Sequence, residues 1–182
     1  MQAINDISER HAEVSGCIVR KVTNASDIEA VSQFAEKLWR DHYMPIIGAL
    51  QVEYMLANFQ SLSAITRQIA AGYQYYVLLK DKQPLAYFAW IITTDTRSLH
   101  ISKLYVDKSC QRQGIGSQII DLSVDYCRSN NLQNLWLTVN RHNHSAINFY
   151  LRNGFENVAA LVQDIGAGFV MDDFKMVKQI VR

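Results

Sequence analysis

Only two prolines and eight glycines stand among 182 residues, and neither type is gathered into runs. That scarcity excludes collagen-like and low-complexity chains. Cysteine is rarer than glycine: Cys17, Cys110 and Cys127 form an odd set with no C-x-x-C spacing. This excludes a disulfide framework and suits a reducing compartment, where buried thiols behave as small apolar groups. An excess of charge of one sign is also missing. The formal net charge is +1, so no broad basic field points to nucleic acid or to a membrane surface. No apolar run is long enough to span a bilayer. The stretch Met1–Glu13 carries Asp6, Glu9, Arg10 and Glu13 and lacks the apolar centre of a signal peptide. The expectation is a cytoplasmic protein.

What is present is a folding composition, 49% apolar and 19% charged, at a length that suits one domain. Residues 1–15 are polar without a period and read as a flexible extension, leaving 16–182 as the domain. Cys17–Val22 reads as a strand, and Ser26 or Asp27 as the cap of a helix whose stripe is Ile28, Val31, Ala35 and Leu38. Pro45 and Gly48 interrupt that pattern. Gln51–Phe59 resumes it, and Ser61 would cap a further short helix burying Leu62, Ile65 and Ile69. Tyr75–Leu79, Leu85–Thr93 and Leu99–Val106 follow as three antiparallel strands. The rhythm then alternates: helix Gly114–Arg128, strand Leu135–Val139, helix Ser145–Arg152 stopped by Asn153-Gly154, and strands Phe155–Leu161 and Phe169–Val177. The expected class is mixed α/β, in the order β-α-α-β-β-β-α-β-α-β-β. One β-α-β unit sits inside a largely antiparallel sheet.

The most informative stretch runs Leu104-Tyr-Val-Asp-Lys-Ser-Cys-Gln-Arg-Gln-Gly-Ile-Gly-Ser117. A strand enters a polar loop, and two glycines open a helix. Free N–H groups and the positive end of the macrodipole make a helix start an anion site. Glycines let a phosphate approach the backbone. A Walker loop requires Gly-Lys-Ser/Thr, but Ser117 and Gln118 follow Gly116. A dinucleotide fingerprint requires a small residue where Ile119 stands. The spacing Gln111-x-x-Gly114-x-Gly116 after a strand resembles instead the acetyl-CoA pyrophosphate loop of the GNAT superfamily of N-acetyltransferases. Downstream, Asn143, Ala146, Phe149, Tyr150, Gly154 and Phe155 fall in register with the pattern Asn-x-x-Ala-x-x-Phe-Tyr-x-x-x-Gly-Phe of the same family.

The resemblance implies an acetyl group moved from acetyl-CoA to a primary amine by direct attack in a ternary complex. It implies that Leu104, Tyr105 and Val106 lie along the pantetheine arm. Gln111, Arg112, Gln113, Gly114, Ile115, Gly116 and Ser117 would surround the phosphates, Asn143 would hydrogen-bond the cofactor, and Tyr150 would protonate the departing thiolate. Without that context a Phe-Tyr pair on a helix reads as core. His100, on the strand where some members carry a catalytic glutamate, would serve as base, although a strand histidine also has a plain structural reading. A base has work to do, since an amine of pKa near 10.4 is neutral only about once in 2500 molecules at pH 7.

For the acceptor, Trp39, His42 and Tyr43 stand near Glu36, Asp41 and Glu53. Aromatic faces with carboxylates would cradle a cationic amine. Ile165–Phe174 and Tyr54–Gln60 resemble the PaiA-like branch, linked to polyamine acetylation. Spermidine-like amines are therefore the first expected acceptors, ahead of amino-acid or antibiotic amines and protein amines. A non-catalytic acyl-CoA sensor and a protein-interaction module stay open as rivals. The aromatic N-terminal half would also suit a homodimer. His142 and His144 lack partners at ligand spacing, so no metal is expected.

Overall fold

Strand and turn already occupy the start of the described chain. The structure, a computed structural model, describes residues 13–181, so most of the expected 1–15 extension lies outside the described residues. What is described of it is strand β1 (Glu13–Val14) and the turn at Ser15-Gly16, both with left-handed φ (52° and 71°). The chain gathers into two compact units, residues 13–91 with 103–119 and residues 92–102 with 120–181.

In the first unit β1 pairs with β2 (Cys17–Lys21), β2 with β3 (Gln74–Lys80), and β3 with β4 (Gln83–Thr93), all antiparallel. Asp81 and Lys82, at φ 50° and 65°, make the two-residue turn whose twist matches a hairpin. Pro84 has no N–H for the ladder, and a bulge between Leu78 and Leu79 falls opposite it.

Helix α1 (Ala25–Ile47) starts two residues earlier than a cap at Ser26 allows. Asn24, not Ser26 or Asp27, is the N-cap, and its side chain accepts the N–H of Asp27. Nor does α1 stop at Pro45. It runs through that residue and ends at Gly48, whose φ of 81° suits glycine. The missing N–H of Pro45 deprives the Asp41 carbonyl of its helical donor. Lys108 Nζ donates to that carbonyl at 2.6 Å instead. Helix α2 (Ala49–Met55) widens into a π turn (Leu56–Gln60), and Ser61 caps α3 (Leu62–Ala70) as expected. Val31, Ala35 and Ile65 are fully buried helix residues, and Tyr76, Phe88 and Trp90 form a buried aromatic cluster on the strands.

In the second unit the start of β5 (Ser98–Val106) pairs parallel with β6 (Asn134–Asn140) over only three residues, Ser98–His100 against Asn134–Trp136. This is the expected crossover, made by α4 (Ile115–Ser129). Along its whole length β6 also pairs antiparallel with its other neighbour, β8 (Phe169–Gln179), from Asn134↔Gln179 to Asn140↔Asp173. Strand β7 (Glu156–Gly166) pairs with β8 over a longer span than the sequence pattern suggested, because the hairpin continues to Gly166-Ala167-Gly168, all left-handed. Helix α5 (His144–Arg152) enters β7 through Gly154, at φ 80°. Leu135, Leu137, Val139 and Met176 are buried on one face of β6 and β8. Trp136 and Asn140, on the other face of β6, are half-buried.

Candidate active site

The loop between β5 and α4 is built from its own side chains. Asp107 accepts from the Ser109 N–H (2.9 Å) and hydroxyl (2.7 Å), and the Asp107 N–H donates to Leu85 O at 2.8 Å. The two bonds from Ser109, with Lys37 at 3.3 Å, hold the Asp107 carboxyl below the usual carboxylate range. Gln111 Nε2 donates to Val106 O, and Gln113 Nε2 to Ser109 O. Arg112 and Gly114 then turn left-handed, at φ 62° and 80°. The first α4 bond joins Gln118 N to Gly114 O at 3.0 Å. The N–H groups of Ile115, Gly116 and Ser117 therefore lie at the helix mouth without intrahelical acceptors. The Gln118 side chain fastens this first turn to Ser15 by two bonds of 2.7 Å. A helix of 15 residues with glycine at its mouth and exposed Arg112 beside it fits a diphosphate.

The structure separates backbone from side-chain roles among the expected binding residues. Gln111, Arg112, Gln113 and Gly114 are exposed, and Gly116 and Ser117 are half-buried. Ile115 has its side chain in the core, 2% exposed, so only its backbone faces the loop. Leu104 and Val106 are half-buried on β5. The Tyr105 ring packs among Trp39 (5.6 Å), Tyr43 (6.2 Å) and Tyr87 (5.1 Å), so it belongs to the aromatic wall of α1.

That wall has a buried base and an open rim. Trp39 Nε1 donates to Tyr87 Oη, which donates to Gln60 Oε1, both at 3.3 Å. Trp39 and Tyr87 are buried, and burial drives the Tyr87 phenol well above its ordinary pKa. His42 and Tyr43 form the half-exposed rim, edge to face at 4.7 Å. Burial, then the charge of Lys108, lowers the His42 pKa, so the rim imidazole is held neutral. The carboxylates expected to help are engaged elsewhere: Glu36 and Glu53 both bond Arg40, the latter through two contacts of 2.8 and 2.9 Å. On β5 itself, burial brings the Lys103 ammonium down to about 8.

In the second unit Tyr150 is buried on α5, edge-on to Phe149 (5.2 Å) and Phe155 (5.6 Å). Asn143 is buried and is the N-cap of α5, with Oδ1 accepting the Ala146 N–H at 3.2 Å. The His100 imidazole lies flat on Trp136, with 3.7 Å between centroids and 5° between planes. Lys175 Nζ stands 4.7 Å from the centre of the same indole. His142 and His144 belong to the turn and first residue of α5, and no metal-binding cluster occurs among the described residues.

A family model described as the acetyltransferase (GNAT) family matches residues 32–155. The chain belongs to that family. The matched span of this GNAT chain takes in the β5–α4 loop, Asn143 and Tyr150, and stops before β7 and β8. An uncharacterized N-acetyltransferase in the pepI 3′ region of Lactobacillus delbrueckii subsp. lactis is 33% identical over 81 residues, which are 42% of this chain and 47% of that protein. The chain thus spans about half the length of this curated relative. Among solved structures, PaiA N-acetyltransferase from Thermoplasma acidophilum, in complex with coenzyme A, superposes with a TM-score of 0.72 at 20% identity, covering 88% of this chain and 97% of that one. A GCN5-related N-acetyltransferase from Rhodopseudomonas palustris gives 0.75 at 14% identity, covering 93% and 99%. These two likenesses establish the GNAT fold.

Several residues with evident work in the structure were not singled out from the sequence: Tyr87, Gln60, Lys103, Lys108, Trp136 and Asp173. Tyr87 and Trp136 had a signal in strand alternation, since each falls opposite a neighbour on its own face. Lys108 and Asp173 had none, because their partners are distant in sequence.

Proposed function

We propose that this GNAT chain transfers the acetyl group of acetyl-CoA to a primary amine. The observation that carries the reading is the left-handed turn at Gly114 opening α4, inside the span that matches the family. Three backbone N–H groups and the exposed Arg112 stand there, which suits the pyrophosphate. Val106 and Leu104 would lie along the pantetheine arm, and Gln111, Arg112, Gln113, Ile115, Gly116 and Ser117 would surround the phosphates through backbone and exposed side chains. Asn143 would add its amide.

Thioester aminolysis needs a proton for the leaving sulfur and a sink for the proton of the amine. Tyr150 would give the first. Its phenol ring is buried against Phe149 and Phe155. His100 would take the second, its ring plane fixed by the stack on Trp136. His42 and Tyr43, backed by Trp39, would form an apolar wall for the acceptor's carbon chain. The acceptor is a cationic amine, polyamines included. Glu36 and Glu53 are both bonded to Arg40 and share its single charge.

Thiol release from acetyl-CoA over a panel of spermidine, amino acids, tyramine and a lysine peptide tests this, paired with calorimetry of acetyl-CoA. Binding with turnover on one amine is the expected result. Binding without any turnover would favour an acyl-CoA sensor, and no binding would remove the reading.

A further inference from the structure

Four carboxylates are half-buried among residues 14–181: Asp27, Asp107, Asp172 and Asp173. Three of them have cations. Arg20 meets Asp27 at 2.9 Å, Lys37 meets Asp107 at 3.3 Å, and Arg141 meets Asp172 at 2.6 Å. Asp173 has none among the described residues. Its hydrogen-bond donor is the Thr138 hydroxyl, its charged neighbour is Asp172, and burial with that like charge pushes its carboxyl above the ordinary range. Lys175, two residues along β8, directs its ammonium over Trp136 instead. On β7 the residue opposite Asp173 is Leu161, which is apolar. A half-buried carboxylate without a cation is costly to keep ionised, and an ammonium delivered from outside relieves that cost.

Register places this carboxylate at the working end of its unit. Asp173 faces Asn140, the last residue of β6, and the Asn140 side chain accepts the His142 N–H in the turn that leads to Asn143 and α5. Asn140 and Trp136 are four residues apart on one strand, so they share a face. That face also carries His100, paired with Trp136. It therefore carries, on β5, β6 and β8, a carboxylate with no ion pair beside an indole that stacks with the His100 imidazole and takes the Lys175 ammonium.

We propose that Asp173 recognises the acceptor, pairing with an ammonium group of the amine that receives the acetyl group. The assignment rests on the acetyltransferase reading and gives that reading its missing counter-charge. Asp173 selects cationic amines over neutral ones, and it acts on the acceptor without touching acetyl-CoA.

The test has two arms. In the first, carbon-13 NMR follows aspartate carboxyls in the full chain with CoA present, and the Asp173 signal is assigned by its absence in Asp173→Asn. Spermidine, butylammonium and tyramine are the probes. Asp172, Arg141 and Lys175 are the charged neighbours whose titration is followed alongside. At least one amine is expected to move the Asp173 titration to lower pH, as a cation must. A signal that none of the three moves overturns the proposal. In the second arm, Asp173→Asn raises the acceptor KM about tenfold or more, leaves the acetyl-CoA KM unchanged, and is partly rescued by Asp173→Glu. Equal loss toward both substrates would mean a scaffold role and overturn it. Failure of the wild type to bind acetyl-CoA strikes the acetyltransferase reading and with it the acceptor's role as acetyl receiver, while the first arm still reads whether Asp173 pairs with an ammonium.

Discussion

Lys108 fills a carbonyl that Pro45 leaves without its helical donor, and the same charge presses on His42. Both effects can be read from one substitution. Lys108→Met removes the donor from Asp41 O and is expected to cost about 1 kcal/mol, read by urea denaturation. It should also raise the His42 pKa toward its ordinary value, read by proton NMR. The sign for stability follows from the depressed pKa. Above about 6.5 His42 is neutral folded or unfolded and contributes nothing. As pH falls below that, the unfolded chain takes the proton first, so stability drops until the folded pKa is passed. Lys108→Met should shrink this acid loss, and an unchanged His42 titration would refute the coupling. Tyr150→Phe is expected to lower kcat while leaving acetyl-CoA affinity near wild type by calorimetry, and an unaltered rate would remove Tyr150 as the acid. The helix that carries Tyr150 and the turn at Gly114 were legible because their motif is local and carries a fixed spacing. Lys108 was not, since its partner carbonyl lies 67 residues away and a proline's effect on it shows only in three dimensions.

At the level of elements, the reading from sequence failed where tertiary contacts overrode local rules. Pro45 was expected to break α1 because its ring and missing N–H disfavour a helix interior by about 3 kcal/mol. The helix continues because a side chain replaces the lost donor, and it stops only at Gly48, where the backbone turns left-handed. Pro45→Ala should restore the N–H to Asp41 O in competition with Lys108 and raise Tm by a few degrees. A lowered Tm would show that the proline ring packs in a way alanine cannot match. The cap shifted for a related reason: Ser26 and Asp27 have good capping chemistry, but Asn24 reaches the Asp27 N–H at 2.9 Å, and Asp27 is held by Arg20. Strand positions fared better. Alternation is a property of the strand itself, so β3 to β6 appeared within a residue or two of their places, whereas the extra length of β7 and β8 depends on their pairing with each other.

For the whole molecule, composition and element order were enough to expect a mixed α/β chain with one parallel crossover. The pairing of β5 with β6 and the family match bear that out. The acceptor was the least legible part. Recognising it depends on which charges remain unmatched after folding, and pairing of Arg40 with Glu36 and Glu53 cannot be counted before α1 and α2 are placed. The cofactor makes a claim on the stability of the entire chain. A ligand that binds only the folded state at one hundred times its Kd adds about 2.7 kcal/mol. For a chain of this size each kcal/mol moves Tm by about 2–4 °C, so acetyl-CoA should raise it by roughly 5–11 °C. Gly114→Val supplies the control. Its residue sits at φ 80°, where a branched side chain is strained, and a Cβ there would meet Gln118 Nε2 at 3.5 Å. The variant should melt lower without ligand and gain less from the same acetyl-CoA concentration. Equal gains in the two proteins would move the diphosphate away from the α4 mouth, and no gain in the wild type would leave the fold in place and remove acetyl transfer from it.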